Sequence, residues 1–221
     1  PHCSLAYLPS PLNSRPLGTG LIEIVGEGGS VGVAGQIVNL SAETRDGCLR
    51  EVWNHHRAGT IDELRGSFVL AIRDRTKIHV YRDGAGRRTV YYGKMGKRWL
   101  FAIEPKAIHT LPDFSPRLRQ AAVAEYLTFS FIPGERTMLE DLWEVPAGHR
   151  ITLTPDAEPV LERWFQPEDF LHEPHLHDEH WKQRFNDLFA NAIDELRQPD
   201  KPSAVFLSGG IDSSIVAALS L

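Results

Sequence analysis

Four short β-prone runs follow one another between Ser67 and Glu104: SFVLAIRD (67–74), KIHVYRD (77–83), TVYYGK (89–94) and RWLFAIE (98–104). Each is rich in branched or aromatic side chains and is divided from the next by a charged or glycine-containing turn, so the region is expected to form an antiparallel meander. The first run is almost wholly apolar, which suits a strand covered on both faces, whereas KIHVY alternates. Asp83-Gly84-Ala85-Gly86 has the look of a phosphate turn, but between two β-prone runs it reads as a hairpin connection.

The flanks add helices. LIEIV (21–25) and VGVAGQIV (31–38), separated by GEGGS, read as two further strands. In RDGCLREVWNHH, Leu49, Val52 and Trp53 recur at helical spacing and Gly59 can close the element, which predicts a helix over 46–57. EPKAIHTL and SPRLRQAAVAEYLTF are also expected to be helical, the second with Ser115 as N-cap and Pro116 in its first turn. HRITLTP (149–155) is expected to be a strand. Residues 158–176 hold several Pro, Glu and His residues without periodicity and read as a connector. Residues 177–198 then place Trp181, Phe185, Leu188, Phe189, Ala192 and Leu196 on one stripe of an amphipathic helix.

Composition bounds the function. With 42% apolar and 24% charged residues in 221, the chain is globular, with one or two domains. Its 24 basic against 29 acidic side chains give a formal charge of −5, which disfavours nucleic acid or an anionic lipid surface as a partner. Cys3 and Cys48 make neither a disulfide framework nor a zinc spacing. The absence of a long apolar run argues against a membrane span, and a cytoplasmic protein is expected.

The segment richest in chemistry is AVFLSGGIDSSIVAAL (204–219). It reads as a buried strand, a glycine turn and the beginning of a helix, and such a helix N-terminus offers unpaired N–H groups to phosphate oxygens. Gly209 and Gly210 let the backbone approach a ligand closely, and Ser208, Ser213 and Ser214 can add hydroxyl donors. Asp212 can assist an anion only by holding a cation such as Mg²⁺ beside it. The run lacks the Gly-Lys-Ser/Thr end of the common NTPase loop, and it is not a GxGxxG fingerprint. From the residues alone, an ordinary strand-to-helix turn with Ser and Asp as caps stays open beside a nucleotide loop.

Ser208-Gly209-Gly210-Ile211-Asp212-Ser213-Ser214 resembles the pyrophosphate loop of ATP-pyrophosphatase ligases. The segments LRGSFVLAIRD (64–74), YRDGAGRRTVYY (81–92), FAIEPKAI (101–108) and EYLTFSFIPGERTMLEDLWEVPAGHRITL (125–153) precede it in the order found in the asparagine synthetase family, which the chain is thereby taken to resemble over most of 31–221. The resemblance implies an α+β chain. An N-terminal α/β/β/α amidotransferase sandwich of the Ntn type (1–157) and a connector (158–176) would precede the opening of a doubly wound ATP-pyrophosphatase domain (177–221). That last segment is far shorter than the roughly 100–200 residues of a domain, so the rest of the adenylating domain is expected on a second polypeptide or a further segment, and this chain alone is expected to be inactive. ATP and Mg²⁺ are the implied cofactors, with Leu207 to Gly210 and Asp212 to Ser214 holding the nucleotide. A carboxylate is the implied substrate, and a homodimer is left open.

At the glutamine-hydrolysing end the sequence departs from the family. The nucleophile there is an N-terminal cysteine whose free amine acts as base; Cys3-Ser4-Leu5-Ala6 is the nearest match and would need two residues removed. Where the family has Asn-Gly-Glu, this chain has Ala34-Gly35-Gln36, which costs a side-chain oxyanion donor, an effect of about 10²–10³ in rate elsewhere. Asp46 aligns with the carboxylate that holds the glutamine amine. Three readings follow from the resemblance. The chain resembles amine-using branches such as β-lactam synthetases or lasso-peptide cyclases, or a glutamine-hydrolysing asparagine synthetase with a processed Cys3, or a non-catalytic scaffold.

Overall fold

The computed structural model describes residues 20–24, 29–41, 44–109, 111–170, 178–196 and 204–220. The chain divides into two compact units, Pro1–Pro167 and Glu168–Leu221. In the first, β1 (Gly20–Ile24), β2 (Gly29–Ile37), β3 (Gly66–Asp74) and β4 (Lys77–Arg82) pair antiparallel in chain order. β8 (His149–Leu153) and β9 (Val160–Arg163) extend the same sheet, to the order β1-β2-β3-β4-β8-β9. A second sheet, ordered β6-β5-β7, is made by β5 (Tyr91–Met95), β6 (Arg98–Ala102) and β7 (Leu142–Glu144).

The four β-prone runs are therefore not one meander. The first two lie in the six-stranded sheet and the last two in the three-stranded one, and the Asp83–Gly86 turn carries the chain from one to the other instead of closing a hairpin. The physical cause is a pair of buried charges. Asp83, with 0% exposure, accepts hydrogen bonds from the N–H groups of Arg87 (3.0 Å) and Arg88 (3.1 Å). The Arg82 guanidinium donates to the carbonyls of Arg88, Gly86 and Val145 and to the Glu144 carboxylate at 2.7 Å. Both side chains thus spend their hydrogen-bonding capacity on holding the turn between the sheets.

Two apolar layers result from strict alternation along the strands. On one face of the six-stranded sheet, Val31, Val33, Ile37, Phe68, Leu70 and Ile72 meet Leu49, Val52 and Trp53 of α1 (Arg45–Ala58). On the other, Val69, Ile78, Val80, Ile151 and Leu153 meet Val90 and Val145, with Tyr92, Trp99 and Phe101 of the second sheet packed against them. Each fully buried aliphatic or aromatic side chain contributes about 1.5–3 kcal/mol. α1 lies within one residue of its predicted bounds at either end: Thr44 Oγ1 accepts from the Gly47 N–H, and Gly59 ends the helix at φ 77°.

The helix predicted from Ser115 starts later. Arg117–Arg119 is instead tied in extended conformation to Met138–Glu140, Arg119 N–H to Met138 C=O at 2.8 Å and Glu140 N–H to Arg117 C=O at 2.9 Å, so α3 begins at Gln120 and runs to Phe129. The short α2 (Pro105–His109) precedes it. β9 lies inside the stretch read as a connector, and Trp164 and Phe165 just after it both donate their N–H to Gly148 C=O. The mixed α+β class expected from the sequence is what the chain adopts.

In the second unit, α4 (Asp178–Leu196) covers most of the predicted amphipathic helix, and α5 is Ile211–Ser220. Residues 204–207, expected as a buried strand, are neither paired nor buried among the described residues; Phe206 is 99% exposed. A strand exists only through its ladder partners, and the described residues supply none to this segment. Among the described residues, no helix is long and apolar enough to cross a membrane.

Candidate functional site

The predicted site residues fall in two places. Residues 208–214 form a tight turn at the start of α5. Gly209 adopts φ 84°, with open space where a Cβ would stand, so the backbone there can approach a ligand. Gly210 N–H reaches Ser208 Oγ at 3.4 Å, Ser208 Oγ lies 3.0 Å from Ser213 Oγ, and Ser213 Oγ donates to Gly210 C=O at 3.2 Å. Ser214 Oγ donates to the same carbonyl at 2.8 Å.

The serine hydroxyls, expected as donors to phosphate, therefore brace the loop around Gly210. The first intrahelical bond is Ser214 N–H to Gly210 C=O, 3.2 Å. The N–H groups of the turn before it, Ile211 to Ser213, stand at the positive end of the helix dipole and suit an anion. Asp212 is exposed in that turn and Leu207 just before the loop is 64% exposed. One exposed carboxylate suits a Mg²⁺ that takes most of its ligands from phosphate and water. Among the described residues no cluster of three metal-ligating side chains occurs.

The residues expected at a glutamine site are more dispersed. Ala34 sits in β2 opposite Val69, and Gly35 opposite Phe68. Gly35 has φ 118°, and a Cβ on it would collide with the Ser67 carbonyl, so only glycine fits. Alternation turns the Ala34 methyl away from α1, toward the face shared with Val69, whereas Asp46 lies exposed in the first turn of α1, which packs on the opposite face. Ala34 thus lies on the sheet face opposite the helix whose first turn carries Asp46, and Cys3 lies outside the described residues.

Two features escaped the sequence reading. The buried Arg82–Asp83 pair was hidden because its partners, Glu144 and Val145, lie some sixty positions on. A His56–His79 contact was hidden because the two come from a helix and a strand that meet only after folding.

A family model described as a glutamine amidotransferase domain matches residues 45–165, more than half the chain, and one described as asparagine synthase matches 184–220. Among curated relatives, asparagine synthetase [glutamine-hydrolyzing] 1 of Bacillus subtilis is 24% identical over 187 residues, covering 84% of this chain and 29% of the relative. Asparagine synthetase [glutamine-hydrolyzing] 3 of the same organism is 30% identical over 163 residues, covering 72% and 26%. The chain thus spans under a third of the length of these relatives. A solved glutamine phosphoribosylpyrophosphate amidotransferase from B. subtilis aligns over 90% of this chain and 46% of its own, at 14% identity and TM-score 0.43. A match to a glutamine amidotransferase domain followed by a match to asparagine synthase defines the class of protein. The chain belongs to the asparagine synthetase family.

Proposed function

We propose that the chain serves an ATP-dependent amide-forming ligase in which the attacking nitrogen is an amine of the second substrate rather than ammonia from glutamine. The carboxylate oxygen of one substrate attacks the α-phosphorus of ATP and the bond to pyrophosphate breaks. The amine nitrogen then attacks the acyl carbon, the bond to AMP breaks and the nitrogen loses a proton. The N–H groups of Ile211–Ser213 and the open backbone at Gly209 would bind the leaving pyrophosphate oxygens. Mg²⁺ beside Asp212 would offset the charge on those oxygens.

The observation that carries the amine-using reading is Ala34. Ala34, beside Gly35, carries a methyl group on the sheet face away from the helix that holds Asp46, so it offers no side-chain donor to an oxyanion formed there. A second reading is glutamine hydrolysis, with Cys3 as nucleophile; the relatives are glutamine-hydrolysing asparagine synthetases, which favours the hydrolysis.

The test uses the polypeptide carrying this chain with a complete asparagine synthase domain. Pyrophosphate release that needs ATP and an amine substrate, without glutamate from glutamine, is expected. Glutamate formed at an enzymatic rate and lost in Cys3→Ala would replace the first reading by the second. Asp212→Ala is expected to lower pyrophosphate release about 10²-fold while the first unit unfolds as before; unchanged release would remove the loop from the mechanism.

A further inference from the structure

His56, near the end of α1, and His79, in β4, meet across the helix–sheet contact with ring centroids 5.1 Å apart. His56 also lies against Trp53 at 5.9 Å and Tyr81 at 6.2 Å, and its Nδ1 is 3.2 Å from the Tyr81 hydroxyl. His79 Nδ1 is 3.0 Å from Oγ1 of Thr152 in β8.

The polarity of this hydrogen-bond chain is set at its far end. Arg150 in β8 can only donate, and its Nη1 donates to the Tyr81 oxygen at 3.1 Å. Tyr81 keeps a proton of its own to donate, and His56 Nδ1 accepts that hydrogen bond in the tautomer that carries its proton on Nε2. A proton on Nδ1 would confront Tyr81 with two donors and turn its hydrogen out of the chain.

The surrounding charges do not welcome a second cation. Arg150, Arg57 and Lys77 lie near the pair from β8, α1 and β4. Asp74, on β3, is the nearby carboxylate and already faces Arg57 at 3.7 Å; Glu162, on β9, is taken up by Arg150 at 2.7 Å. Burial first, then repulsion from His56 and Arg150, hold His79 down to about 4, and burial lowers His56 too.

We propose that the His56–His79 contact is an acid-released clasp: when the pair takes up protons, the last turn of α1 (55–58) leaves the β4–β8 region of the sheet, while Val52 and Trp53 keep the body of the helix on the core. Above the ordinary histidine value of about 6.5 both docked and undocked forms are neutral and docking is at full strength. Below it the undocked form binds protons first, so docking weakens progressively as the pH falls toward 4. The helix affected is the one whose first turn carries Asp46.

Hydrogen exchange of the whole chain at pH 7 and pH 5, corrected for the intrinsic rate, reads this directly. Amides of 55–58 should lose protection by about tenfold or more while those of 68–72 in β3 do not, and His79→Gln should abolish the loss. Equal loss in both segments, or an undiminished loss in His79→Gln, would overturn the proposal. Should that variant fail to fold, NMR titration of the two imidazoles in the unaltered chain decides: both midpoints well below 6.5 sustain the clasp, and two independent midpoints near 6.5 dismiss it.

Discussion

The two units use similar apolar patterns to opposite effect. In the sandwich, Leu49, Phe68 and Leu70 are buried against partners from distant segments, whereas no residue of α5 is buried and Phe206, Leu207 and Ile211 stand exposed among the described residues. Yet the exposed unit carries the better-formed local geometry, since the 208–214 turn closes through bonds no more than five residues apart. A turn can be shaped by residues close in sequence, while burial depends on residues far away.

That contrast can be broken by substitution. The largest expected effect is from Phe68→Ala, which should lower the stability of the first unit by about 3–5 kcal/mol, against Phe206→Ala within about 0.5 kcal/mol. Chemical denaturation followed by tryptophan fluorescence measures both; a costly Phe206→Ala would mean that the 204–207 segment is covered in solution. Next comes Asp83→Ala. It leaves the N–H groups of Arg87 and Arg88 unpaired beside a buried Arg82, at about 3 kcal/mol in the same assay. A loss under about 1 kcal/mol would show that water replaces the carboxylate and that the sheet crossing is not held by it. The smallest effect is Thr44→Ala, about 1 kcal/mol for a lost N-cap, read as a matching drop in thermal midpoint. No change would place the hold on α1 wholly in its packing against the sheet.

What the sequence disclosed follows the same division. α1 was legible because Leu49, Val52, Trp53 and Gly59 signal it within fifteen residues, and the glycine turn at 208–214 was legible for the same local reason. The split into two sheets was not, because it depends on Arg82 reaching Glu144 and Val145. β7 and β9 were missed because strands of three and four residues carry too little alternation to stand out. Ser115-Pro116 looked like a helix start but gave way to pairing of 117–119 with 138–140, which no local rule announces. The Ala34-Gly35 departure was legible by resemblance; the place of Ala34 on the face away from α1 needed the register.

The end of the first unit bears on how the chain is anchored. Trp164 Nε1 donates to Arg82 C=O, Trp164 packs on Phe68 and Tyr81, and a Cβ on Gly84 would strike the Phe165 ring. The chain that leaves the first unit is therefore moored twice, by the β9 ladder and by Trp164 and Phe165 against the sheet-crossing turn at 82–86.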